Sequence, residues 1–223
     1  MFYREAGDFS TTYREDSQTF PIKFDRYRYY AVLLIAFAII PFLLNDYWVN
    51  AIFLPFLIYS IAAIGLNILT GYCGQVSLGT GGFMAVGAYA TYKLMTAFPE
   101  VSMVVHILLA GGITAFVGVL FGLPSLRIKG FYLAVATLAA QFFLVWLFNR
   151  VPWFYNYSAS GQINSPERTL FGIPITGANT EPWAVYLFCL VFVTLSAIIA
   201  RNLTRGAMGR KWMAIRDMDI AAE

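Results

Sequence analysis

The sequence predicts an all-α polytopic membrane bundle, and three observations predict it. Of the 223 residues, 59% are hydrophobic, 17% aromatic and only 12% charged, with a mean hydropathy of +0.66, far from the composition of a soluble domain. Apolar runs recur at the length a bilayer core demands, about 20 residues each. Lys and Arg concentrate in alternate connections, the pattern that membrane insertion imposes. A soluble chain of this size buries roughly two thirds to three quarters of its surface, which leaves too much apolar surface in water; lipid removes that penalty.

About six spans are expected, over residues 29–44, 48–69, 83–97, 101–123, 131–148 and 183–200. Residues 1–28 are polar, with charges of both signs and no early apolar run leading to a small-residue cleavage site, so they read as an N-terminal cytoplasmic segment and not a secretory signal. The transmembrane domain is then 29–200, and 201–223 forms a cytoplasmic tail. With the N-terminus inside, the cytoplasmic pieces hold Arg4, Arg14, Lys23, Arg26, Arg28, Arg127, Lys129, Arg201, Arg205, Arg210, Lys211 and Arg216. The outer pieces hold Lys93, Arg150 and Arg168. Twelve against three favours this orientation over its reverse. The outer connection 149–182 is rich in Pro, Gly, Asn and Ser and reads as ordered but irregular; its Asn156-Tyr157-Ser158 triplet is of a kind common by chance. Trp48, Trp153, Tyr155, Tyr157 and Trp183 fall at outer boundaries, where amphipathic rings anchor in the headgroup layer.

Between the second and third spans lies Gly71-Tyr72-Cys73-Gly74-Gln75-Val76-Ser77-Leu78-Gly79-Thr80-Gly81-Gly82, uncharged and with five glycines. Each Gly costs about 1 kcal/mol against Ala in a helix interior, so a straight helix is disfavoured. A solvent loop would be more polar. Broken or re-entrant backbone at membrane depth fits both facts, with a flexible cytoplasmic turn as the plainer alternative. In a broken helix, Asn67, Thr70, Gln75, Ser77 and Thr80 offer neutral hydrogen-bonding groups beside a substrate path; equally, they pair across helices to hold the bundle. No phosphate-cradling G-x-x-x-x-G-K-[ST] follows these glycines.

Other features exclude function classes. The single histidine, His106, lies in a span with no carboxylate or nucleophile near it in sequence, and reads as packed or hydrogen-bonded to a neighbour, so no catalytic constellation is present and no enzymatic activity is expected. Cys73 and Cys189 suit buried small side chains better than a metal site or disulfide. No basic stripe points to nucleic acid. The spans nearly lack ionisable groups, which argues against an ion-driven carrier. Gly118 and Gly122, with Gly111 and Gly112 before them, mark a close helix approach. From Met208 the tail forms a helix with Met208, Trp212, Ile215, Met218 and Ala222 in one apolar stripe; such a helix lies on a membrane surface or in a partner's groove.

Three stretches carry a family resemblance: "GLNILTGYCGQVSLGTGGFMAVGAY" (65–89), "PSLRIKGFYLAVATLA" (124–139) and "GRKWMAIRDMDIAAE" (209–223). Together, in this order, they resemble the permeases of bacterial ABC importers for branched-chain amino acids, the LivM-like group. The resemblance implies an inner-membrane subunit with no cofactor of its own. Its partners would be a second homologous permease, two cytoplasmic ATPase subunits that use ATP, and a periplasmic solute-binding protein. It assigns ATPase coupling to Gly209, Arg210, Ala214, Ile215, Arg216, Asp217, Ala221, Ala222 and Glu223, in a coupling helix that is incomplete here. The family continues with further spans, so this chain is expected to be truncated. At Thr80-Gly81-Gly82 relatives often carry a His, whose role would be absent. The implied cargo is a branched-chain or other small amino acid. Related permeases for urea, short amides or aromatic acids share these motifs, and a stand-alone secondary carrier or channel is the competing class.

Overall fold

A computed structural model describes residues 11–12, 23–43, 45–125, 131–158, 160, 163–177 and 180–217. The chain divides into two compact units, Met1–Leu44 and Asn45–Glu223. In the first, helix α1 comprises Lys23–Leu34, a π-turn Ile35–Ile39 and Ile40–Leu43. Pro41 accounts for the π-turn: it lacks an N–H, and its ring would collide with the carbonyl four residues back. Widening the helix, with the Ile40 N–H donating to the Ile35 carbonyl, accommodates it. None of the π-turn residues is buried within this unit.

In the second unit, α2 runs from Asp46 to Tyr72 and contains two further π-turns, Val49–Phe53 just before Pro55 and Ile68–Tyr72 at its end. Helices α3 (Thr80–Ala97), α4 (Met103–Ser125) and α5 (Phe131–Arg150) follow. Strands β1 (Arg168–Leu170) and β2 (Ile173–Thr176), then α6 (Pro182–Arg205) and α7 (Ala207–Asp217), complete the described residues. α3 packs against α4 and α5, and α2 against α6. The core lies where Val86 of α3 meets Leu144 and Phe148 of α5, with Phe83, Tyr89, Phe121 and Phe154 around them. Tyr89 stacks on Phe148 at 4.3 Å, and Phe154 stands edge-on to both, an arrangement worth about 0.5–1.5 kcal/mol per aromatic pair beyond area burial.

Five helices, α1, α2, α4, α5 and α6, are long and apolar enough to cross a membrane. The remaining expected span is α3, whose glycines, tyrosines and Lys93 dilute its apolar character. At 1.5 Å per residue its 18 residues still cover about 27 Å, close to a hydrocarbon core of about 30 Å. α3 touches α2, α4 and α5, so neighbours rather than lipid cover most of it. The fold is therefore an all-α polytopic membrane bundle, with the helices broken at the Gly-rich segment.

The connection 149–182, expected to be irregular, is more regular than its composition suggests. β1 and β2 pair antiparallel, Leu170 opposite Ile173, around Phe171 (φ 52°) and Gly172 (φ 83°). Two consecutive left-handed residues make the turn whose twist matches a hairpin. Phe171, 97% exposed, stands where such turns favour Asn or Asp, which hid the hairpin from the sequence. The connection is tied to α3. Arg168 donates to the Pro99 carbonyl at 2.6 Å and to the Met95 carbonyl, so a cation caps the negative end of the helix. The Asn156 side-chain amide donates to Tyr92 Oη at 2.8 Å and accepts from Lys93, which also lies 4.2 Å from the Trp153 ring centroid. His106, 1% exposed, pairs neither ring nitrogen among the described residues; of the two expectations for it, packing holds and hydrogen bonding does not.

Candidate functional site

The Gly-rich segment ends one helix and starts the next. In the last turn of α2 the Cys73 N–H donates to the Ile68 carbonyl and the Gln75 N–H reaches back to the Leu69 carbonyl, both at 3.1 Å. Gly74 between them has φ +68°, a left-handed conformation that glycine adopts without steric cost. This is a glycine-terminated helix end, widened by one residue because it closes a π-turn.

The backbone from Cys73 to Gly79 is irregular, and α3 resumes at Thr80. The segment is seated against α5. The Leu78 N–H donates to Thr137 Oγ1 at 2.9 Å, and Thr137 Oγ1 donates in turn to the Ala134 carbonyl. Thr137 lies in the second turn of α5, so the break is recessed along that helix instead of lying beyond its end. A Cβ on Gly79 would sit 2.8 Å from the Thr137 carbonyl oxygen, and one on Gly82 would sit 3.0 Å from Gln141 Cα. Both glycines are buried. They allow backbone-to-backbone approach of α3 and α5, the use small residues have at membrane helix contacts.

Helix α7 covers the other side of the break. After α6 the chain turns at Gly206, whose N–H donates to the Asn202 carbonyl at 3.1 Å and the Leu203 carbonyl at 3.3 Å. The elbow is tight: a Cβ on the buried Gly209 would collide with the Thr204 carbonyl and lie 2.6 Å from Thr204 Cα. Thus held, α7 packs against α6 and the π-turn of α2. Arg216 Nη1 donates to the Gly71 carbonyl at 2.7 Å, and Arg216 Nε donates to Asp217 Oδ1 at 2.8 Å. The hydrogen bond from Arg216 holds the Asp217 carboxyl below the usual carboxylate range, and Asp217 raises Arg216 in the same way.

The expected path residues sit around this break, and two of them, Thr70 and Ser77, make local side-chain hydrogen bonds. The Thr70 hydroxyl donates to the Leu66 carbonyl of its own helix at 2.8 Å. Asn67 Oδ1 lies 3.0 Å from where a Gly71 Cβ would be. Ser77 Oγ accepts from the Gly79 N–H at 3.4 Å. Gln75 is exposed, and half-buried Thr80 opens α3. Thr137 and Gln141 also touch the break, and sequence reasoning passed over them; their signal was two polar residues one turn apart in an apolar span.

Of the expected coupling residues, Gly209, Arg210, Ala214, Ile215, Arg216 and Asp217 are on α7, whereas Ala221, Ala222 and Glu223, like Met218, lie outside the described residues. The inward face differs from the expected stripe. Gly209, Trp212 and Met213 turn toward the bundle, while Met208 and Ile215 are 52% and 53% exposed. The elbow explains this, because seating Gly209 on Thr204 rotates Met208 outward.

A recessed helix break between α5 and a docked amphipathic helix lies inside a multi-pass membrane bundle. Residues 49–223 match the family described as "Branched-chain amino acid transport system / permease component", and the chain belongs to that family. It is similar to the "High-affinity branched-chain amino acid transport system permease protein LivM" of Salmonella typhimurium, 33% identical over 185 residues. Its likeness to the Escherichia coli protein of the same description is 32% over 185 residues. Each alignment covers 74% of this chain and 43% of the relative, so the chain spans less than half the length of the curated relatives it matches. No solved structure matches it significantly.

Proposed function

We propose that this chain is a permease subunit of an ABC importer that carries branched-chain or other small amino acids across a bacterial inner membrane. The observation that carries the reading is the docking of the amphipathic α7 onto the α2 break by Arg216 and Gly71. It links the surface where a motor would act to the segment where the helices are interrupted. Asn67, Thr70, Gln75, Ser77 and Thr80 are the proposed path groups; neutral donors and acceptors hold a zwitterion weakly enough to release it.

The chain has no chemistry of its own in this reading. A second homologous permease completes the path, two cytoplasmic ATPases bind and hydrolyse ATP, and a periplasmic binding protein delivers the solute. The exposed apolar faces of the spans meet lipid and the second permease. Orientation follows from charge. The break and α7 share one face of the second unit, with Arg216 as the link, while Arg168 and Lys93 mark the other. Placing the lysine- and arginine-rich α7 face in the cytoplasm obeys the positive-inside rule and puts the N-terminus on that side as well.

Reconstitution in proteoliposomes tests this. Uptake of a branched-chain amino acid should require the ATPase subunits and ATP. Uptake that proceeds at the same rate without them would instead identify a stand-alone carrier or channel.

A further inference from the structure

Resting on the importer reading, we propose that Arg216 is a latch: its guanidinium caps the open end of α2 and holds the Gly71–Gly74 break closed, so that displacement of α7 releases it. In a continuing helix the Gly71 carbonyl would accept from the Gln75 N–H. That N–H is instead turned back to Leu69, and the carbonyl takes its hydrogen bond from a side chain 145 residues away in sequence. The last carbonyls of a helix carry partial negative charge, so a guanidinium suits this position better than any neutral donor. The segment Gly71–Gly82 has no charge of its own.

The contact is also steric. A Cβ on Gly74 would lie 2.6 Å from Arg216 Cγ and 3.4 Å from its Cδ, so the arginine stem occupies the space a side chain there would fill. Asp217 fixes the guanidinium plane through Nε. On its far side the break is pinned by Leu78 to Thr137. The segment is therefore clamped between a helix within the bundle and a helix at its surface, and only the second clamp can be moved from outside. Arg216 is 40% exposed, so its bond exchanges readily with water, as a releasable contact requires. Arg216 is a positioning residue; nothing here has it touch solute.

Cys73, half-buried inside the break, is a built-in reporter, and half-buried Cys189 in α6 is an internal control. The test measures the rate at which N-ethylmaleimide modifies each cysteine in the assembled transporter without nucleotide, read by peptide mass spectrometry. Arg216→Ala should speed Cys73 modification about ten-fold, the scale of one lost charged hydrogen bond, and leave Cys189 unchanged. Arg216→Lys should give a smaller rise, since an ammonium keeps the charge without the fork. Lys211→Ala, on the same helix, should have no effect. An unchanged Cys73 rate in Arg216→Ala, or an equal rise at both cysteines, overturns the latch. These rates are read at rest, so they stand apart from the importer reading, which fails if ATPase subunits and ATP do not drive uptake.

Discussion

Replacing Gly209 with Ala should disengage α7 while leaving the bundle folded. A Cβ at this position collides with the Thr204 carbonyl and lies 2.6 Å from Thr204 Cα, whereas carbon atoms settle at about 3.5–4.0 Å. α7 must therefore back away by about 1 Å at Gly209. The helix pivots at Gly206, which at 1.5 Å per residue is about 4.5 Å from Gly209 and about 15 Å from Arg216. The lever magnifies the shift roughly three-fold to about 3 Å, enough to break the 2.7 Å bond to the Gly71 carbonyl. Helix propensity works the other way, since Ala is about 1 kcal/mol better than Gly in a helix interior. The loss is thus confined to position, and a helix that is intrinsically stronger ends up in the wrong place. Under the importer function proposed above, ATP-dependent uptake by the assembled transporter should fall about ten-fold, as expected for about 1.4 kcal/mol of lost coupling. The thermal midpoint of the purified protein should move by no more than about 4 °C. Gly206→Ala is the control: its Cβ would lie 3.1 Å from the Asn202 carbonyl oxygen with nothing closer, and uptake should stay within about two-fold of the original. Full uptake by Gly209→Ala would refute the elbow argument.

Three further outcomes follow from the geometry. Gly82→Ala should push α3 from Gln141, and overpacking of about 1–3 kcal/mol should exceed the helix-propensity gain; a thermal midpoint at or above the original contradicts this. Arg168→Ala removes the cap on α3 at Met95 and Pro99, so limited proteolysis should cut the connection between α5 and α6 faster, with Arg168→Lys restoring part of the protection; equal cleavage of all three forms counts against the cap. Asp217 has a lowered pKa through its bond from Arg216, so the pair contributes above the ordinary carboxylate pKa of about 3.9 and its contribution is lost as pH falls through the lower folded value. Cys73 labelling corrected for thiolate content should hold steady from neutral pH to about pH 5 and rise only below that range; a rise near neutrality would contradict the assignment.

Much of the fold was legible because bilayer thickness and backbone satisfaction leave few choices. The apolar runs placed five of the six expected spans, and the uncharged glycines placed the break between α2 and α3. What lay beyond reach depended on long-range register. Nothing local links Arg216 to Gly71, and the rotation of α7 that turns Met208 and Ile215 outward is set by a collision at Gly209 visible only once the chain folds back on Thr204. Thr137 and Gln141 were readable in principle, as polar residues in an apolar span. The α2 π-turn before Pro55 was less so, because a proline in a span can equally kink or end the helix. The hairpin at Phe171 was hidden by an aromatic residue in a left-handed position that sequence rules reserve for Asn, Asp or Gly.

The most direct test places a photocrosslinking side chain at Ile215, on the outward face of α7, in the purified transporter assembled in lipid. Adducts with the ATPase subunit whose yield changes when ATP is added are the predicted result. Adducts with lipid alone, indifferent to nucleotide, would contradict the claim that α7 is where the motor takes hold.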